Sequence, residues 1–192
     1  MNTSNELMLW LNHNPYRDKA AAKDYSERIL HQILFDACPE SAPFHLKRTK
    51  NGKPFCDQAL YFSYSHSRAV YLYGIDKRGP IGVDLESTEK KRDVMTLAQR
   101  FFHSDEVLQM KRLSDTERSD FFYRLWSRKE ACCKLFGGVL WYYLSQSVLA
   151  SQFIDNDTKK PVYLTDINCV AGYVGAVATV EPIKTLWINT LK

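Results

Sequence analysis

Residues 60–86 read LYFSYSHSRAVYLYGIDKRGPIGVDLE, and the pattern of this stretch decides the fold class. Aromatic and β-branched residues gather in three short runs, Leu60 to Tyr64, Ala69 to Ile75 and Ile81 to Leu85, which predict strands. Asp76 to Pro80, between the last two, has turn chemistry and predicts a hairpin. Just upstream, Thr49 to Pro54 (TKNGKP) is another turn: Asn-Gly reaches positive φ easily and the proline blocks a helix. Further upstream the period changes. Across residues 18–37, Ala22, Tyr25, Ile29, Ile33 and Leu34 recur at helical spacing with charges between them, which predicts an amphipathic helix.

Downstream, a helical pattern runs from Asp93 to Phe102, and a new start at Ser104 places Asp105 and Glu106 at the positive end of a helix. Ser114 and Glu117 form a capping-box pair that opens a longer helix. It runs through FFYRLWSRKEACCKLF and stops at Gly137-Gly138, a C-cap signal. The tail returns to strand patterns at Val162 to Leu164, Tyr173 to Val180 and Leu186 to Ile188. Each half reads helix then strands, so the expectation is α+β, with two similar lobes over residues 1–86 and 87–192.

Composition narrows the class. The 192 residues are 45% hydrophobic and 25% charged, a globular balance with length enough to bury a core. A net charge of +4 is too mild for a dedicated nucleic-acid binder but suits polyanionic ligands or an acidic partner. The apolar run Leu7 to Leu11 is far short of a membrane span, and no basic region precedes it as a signal peptide requires. Five cysteines, without a CxxC pair, make neither a disulfide framework nor a zinc site; free thiols in a reducing cytoplasm are expected.

Three constellations could carry chemistry. In Gly82-Val83-Asp84-Leu85-Glu86, strand alternation points both carboxylates the same way, as hard oxygen ligands for one magnesium ion. In Trp126-Ser127-Arg128-Lys129-Glu130-Ala131-Cys132-Cys133-Lys134, residues 126, 130 and 134 share one helix face, so Glu130 could add a third carboxylate and Lys134 a cation for phosphate. In Ser63-Tyr64-Ser65-His66-Ser67, preceded by Gly52-Lys53-Pro54, hydroxyls, an imidazole and an ammonium could bind phosphate oxygens. Taken singly, each also reads as ordinary solvated surface or turn.

Their joint order, GKP, SxSHS, GVDLE and WSRKEACCK, resembles the 4'-phosphopantetheinyl transferase superfamily over about residues 15–140. The nearer likeness is to its longer, single-chain branch, typified by the enzyme that activates surfactin synthetase, and to bacterial holo-acyl-carrier-protein synthases of that type. The resemblance implies a pseudo-dimer of two α+β lobes with the site at their junction. It implies magnesium held by Asp84, Glu86 and Glu130, and coenzyme A met by Lys134 at the pyrophosphate. Lys53 with Pro54, and His66 with Ser65, would serve the adenosine end, and Arg17 another coenzyme A contact; Lys19 and Arg28 are weaker candidates. Glu130 and Lys134 would be catalytic, with Glu106, after Arg100-Phe101-Phe102, a second choice of base. The implied acceptor is an acidic apo-acyl carrier protein, met by Lys90 to Arg92 or by Lys111 and Arg112, and the enzyme a cytoplasmic monomer.

Two departures stand out. Ser63 sits where the family usually has asparagine, and only about fifteen residues precede Arg17, so a first strand common in the family is expected to be missing or rebuilt. Two rival readings use the same residues: a magnesium-dependent phosphodiesterase or nuclease, and a non-catalytic RNA- or partner-binding module.

Overall fold

The computed structural model describes residues 6–57, 60–89, 92–168 and 170–191. In chain order the elements are β1 (Glu6–His13), α1 (Lys19–Ala37), β2 (Lys47–Arg48), β3 (Pro54–Phe55), β4 (Tyr61–Ser67), β5 (Val70–Asp76) and β6 (Ile81–Ser87). There follow α2 (Val94–Phe101), α3 (Ser104–Met110), α4 (Asp115–Phe136), α5 (Leu140–Leu144), β7 (Gln152–Ile154), β8 (Pro161–Ile167), β9 (Tyr173–Thr179) and β10 (Thr185–Leu191). The fold is α+β. Two four-stranded sheets, ordered β10-β1-β5-β4 and β6-β9-β8-β7, each carry a helix, and β2 and β3 form a separate small ribbon.

The strands alternate, and the alternation builds the layers. Leu7, Leu9 and Leu11 of β1 and Leu72 of β5 meet Ile81, Val83 and Leu85 of β6 and Val177 of β9 in one cluster between the sheets. Each such side chain contributes about 1.5–3 kcal/mol when fully buried, so this seam is a principal bond between the two halves. On the far side of the first sheet, Leu30, Ile33 and Leu34 of α1 pack on Phe62, Tyr71, Tyr73 and Ile75. On the far side of the second, Phe122, Leu125, Ala131 and Leu135 of α4 pack with Ala176 and Ala178.

Helix ends follow the local chemistry. Asp18 accepts from the amide of Ala21 at 2.9 Å to start α1. Ser114 and Glu117 close the expected capping box on α4, and Gly137 ends that helix at φ 66, a conformation glycine adopts without strain.

The structure corrects two readings. The first fifteen residues do hold a strand: β1 pairs antiparallel with β5 and parallel with β10. Residues 76–80 make no hairpin, because β5 pairs within the first sheet and β6 pairs with β9 in the second; this segment crosses between sheets. The hairpin is β4–β5, turned at Arg68 (φ 53) with Ser67 opposite Val70. Residue 86 falls inside β6, a strand of the second sheet, while β10 returns from the end of the chain to edge the first. No described helix is long and apolar enough to cross a membrane.

Candidate active site

Gly82, Asp84 and Glu86 occupy alternate positions on β6, all seven residues of which are buried. A Cβ at Gly82 would lie 2.0 Å from the Ala131 carbonyl oxygen, so only glycine lets α4 lie this close to the strand. That approach brings the second half of α4 over the carboxylates. Lys134 Nζ sits 2.7 Å from Asp84 Oδ1 and 3.7 Å from Glu130 Oε2. From the first sheet, Ser65 Oγ donates to Asp84 Oδ1 at 2.8 Å and accepts from Lys134 Nζ at 2.9 Å. Ser67 Oγ donates to Glu86 Oε2 at 3.3 Å. The seam between β4 and β6 is thus a ladder of serines. Ser63 Oγ accepts from the Val83 amide at 3.1 Å and Ser67 Oγ from the Ser87 amide at 2.9 Å, which gives the unexpected serine at position 63 a structural use.

The charges are concentrated and shielded. Burial pushes the Glu130 carboxyl up, and the negative charges of Asp84 and Glu86 push it further, against the opposing pull of Lys134. Burial draws the Lys134 ammonium down, but Asp84 and Glu130 outweigh it and hold the pKa above the ordinary lysine value. Lys134 is therefore a cation at any physiological pH.

Among the described residues no three His, Cys, Asp or Glu side chains form a ready-made metal cage. Asp84 and Glu86 are near enough to raise the Glu130 carboxyl, and Lys134 closes on Asp84. Asp84 is 2% exposed, yet its second oxygen, Oδ2, is buried with no hydrogen-bond partner. An orphaned carboxylate oxygen beside two more acids is donor chemistry that fits a hard divalent cation completing its shell with water and phosphate oxygens.

On the opposite face of β4, His66 stacks on Tyr71 with ring centroids 4.7 Å apart. Both line a cavity of about 440 Å³ together with Arg17, Lys19, Lys23, Arg48, Arg68 and Tyr64. Arg17, Lys19 and His66, expected from the sequence as coenzyme A contacts, are brought together here; Lys23, Arg48 and Arg68 were missed. Lys53 and Pro54 line a second cavity, of about 270 Å³, with Lys134 and the shared Tyr64.

Other expectations are redirected. The Lys53 ammonium is not turned to the basic cavity; it donates to the carbonyl oxygens of Leu135 (2.6 Å) and Ile81 (3.2 Å). Glu106 is fully buried and cannot serve as a base: it is paired with Lys129 at 2.7 Å and accepts from the amides of Val148 and His103. Lys129, itself 0% exposed, was unremarked in the sequence because its helical neighbours do not reveal a partner 23 residues away. Arg28 pairs with Asp24 along α1, outside the basic cavity. Arg92 lies over the Trp126 ring, 5.5 Å from its centroid, while Lys90 and Lys91 lie outside the described residues.

Comparisons with known proteins bear on this geometry. Residues 80–174 match the family model of the 4'-phosphopantetheinyl transferase superfamily, a span that contains Asp84, Glu86, Glu130 and Lys134. The chain is 35% identical over 86 residues to the 4'-phosphopantetheinyl transferase HetI of Nostoc sp., covering 45% of this chain and 36% of that one. It is 33% identical over 130 residues to the 4'-phosphopantetheinyl transferase Sfp of Bacillus subtilis, covering 64% and 56%. With gsp of Aneurinibacillus migulanus the identity is 24% over 132 residues, covering 66% and 54%. The chain spans roughly half or less of the length of the curated relatives it matches.

Proposed function

Because the chain belongs to the 4'-phosphopantetheinyl transferase superfamily through residues 80–174, we propose that it moves the phosphopantetheine arm of coenzyme A onto a serine of an acyl carrier protein. The observation that carries this is the meeting of Asp84, Glu86, Glu130 and Lys134 at the seam of the two sheets, with a cavity rimmed with cations on the other face of β4. Asp84, Glu86 and Glu130 would hold magnesium, which when bound supplies charge neutralisation and polarisation at the pyrophosphate. Arg17 and His66 bind the nucleotide phosphates in the cavity. Lys134, fixed by Asp84 and Ser65, places a permanent positive charge where the pyrophosphate divides.

The step balances simply. The serine oxygen bonds to the β-phosphorus, the bond from that phosphorus to the bridging oxygen breaks, and adenosine 3',5'-bisphosphate departs. Glu130, whose proton affinity is raised by burial and by Asp84, takes the hydroxyl proton. Exposed Lys111 and Arg112 are suited to an acidic carrier. The reading extends to a monomer in a reducing cytoplasm, in keeping with the thiols of Cys38, Cys132 and Cys133, which are not in disulfides.

The test is incubation with coenzyme A, magnesium and a panel of apo-carriers from fatty acid, polyketide and peptide synthesis, read by intact mass. One carrier should gain the mass of a single phosphopantetheine. No gain on any of them, under conditions where coenzyme A binds, would sink the transferase reading.

A further inference from the structure

The ribbon bearing the GKP turn cannot hold itself: β2 and β3 pair over two residues each, and two-stranded ribbons are marginal alone. Its anchor is the end of α4. Asn51 Nδ2 donates to the Gly137 carbonyl at 2.8 Å. The Lys53 stem lies against Gly137, where a Cβ would stand 3.2 Å from Lys53 Cβ. The Lys53 ammonium then reaches inward to the Leu135 and Ile81 carbonyls. Leu135 offers one of the last carbonyls of α4, which no helical amide reaches and which favours a cation. Ile81 opens β6. One ammonium therefore ties the end of α4 to the start of β6, the two elements that carry Glu130, Lys134, Asp84 and Glu86.

We propose that Lys53 is a positioning residue: it fixes α4 against β6, and so holds Lys134 at 2.7 Å from Asp84, without touching the donor. Its effect on rate rests on the transferase reading given above; its effect on the helix does not. Leu135 adjoins Lys134, so release of that carbonyl frees the turn that carries the catalytic ammonium. A shift of an ångström there is enough to cost two orders of magnitude in rate.

The experiment compares the wild type with Lys53→Met and Lys53→Arg by three readouts: turnover, calorimetric coenzyme A affinity, and hydrogen exchange of the Gly137 and Gly138 amides, which close the end of α4 on the Cys133 carbonyl. Lys53→Met should lower kcat about ten- to a hundredfold, leave coenzyme A affinity within about twofold, and speed exchange at both glycines. Lys53→Arg, still cationic, should recover part of the rate. A large loss of coenzyme A affinity with kcat unchanged would make Lys53 a donor contact and overturn the proposal, as would unchanged exchange. Should Lys53→Met fail to fold, Asn51→Ala removes the neighbouring tie to Gly137 and must shift kcat and exchange in the same direction. If the wild type transfers nothing, the transferase reading falls, and exchange alone decides the clamp.

Discussion

Ser65 and His66 are neighbours in sequence, yet they serve two regions of opposite character. Ser65 points into the seam between the sheets, where, itself buried, it bonds both the buried Asp84 and Lys134. His66 points the other way, onto Tyr71 and into a cavity whose Lys19 and Lys23 stand on the exposed start of α1, with Arg17 just before it. In the seam Lys134 pairs with Asp84 and Glu130, and low polarisability makes such contacts strong. In the cavity the cations are more open to solvent and screened, and on the proposed reading each would add its own share to binding. On the proposed reading the difference is a division of labour: groups for the chemical step would be preorganised by packing, and groups for holding the nucleotide set out along a helix and a turn.

The sharpest way to break that comparison is Asp84→Ala or Glu130→Ala. Either should reduce turnover at saturating magnesium by at least about a hundredfold, because the charges being removed act together in a shielded site. Circular dichroism should show the fold retained. A near wild-type rate in either variant would mean that the seam is structural.

A smaller effect is expected in the cavity. Dephospho-coenzyme A, lacking the 3'-phosphate, should bind the wild type about ten- to a hundredfold more weakly, the worth of one charge-assisted contact. Arg17→Ala should then lose little more with that ligand than it has already lost, and His66→Ala likewise if it faces the same phosphate. A cycle of the two variants against the two ligands measures this coupling. Strict additivity for both would move the 3'-phosphate out of the cavity.

The smallest effect concerns Lys53, whose ammonium burial pulls down to about 8. Between that pH and the ordinary lysine value of about 10.4, the unfolded chain keeps a proton that the folded chain has shed. Stability from this group therefore rises as pH climbs through that window, and below it the buried charge is a constant cost. The difference in unfolding free energy between wild type and Lys53→Met, followed by denaturant titration from pH 7 to 10, should show that slope. A flat difference would mean that the Leu135 and Ile81 carbonyls offset the burial of the ammonium.

Much of this was legible in the chain. The DxE strand and the i, i+4 pair Glu130 and Lys134 were readable because both rest on local periods, 2 and 3.6 residues. So were α1, α4 and its Gly137 stop, each marked by caps and amphipathic spacing. The short α5 and the three-residue β7 left no such mark. The strand at Glu6–His13 does show alternation, with Leu7, Leu9 and Leu11 buried, but the five apolar residues in a row from Leu7 to Leu11 hide it.

By itself, then, the sequence determined the longer helices and most of the sheet strands, which carboxylates share a strand face and which charges share a helix face, because these are consequences of short-range backbone geometry. Only the tertiary structure decided that residues 76–80 cross between sheets, that β10 edges the first sheet, that Glu106 is spent on Lys129, and that Lys53 serves two carbonyls. Each of these is a pairing across tens of residues, settled by which partner satisfies a buried polar group or covers an apolar face once the two sheets have stacked. A period along the chain records which way a side chain points, and it says nothing of what waits there.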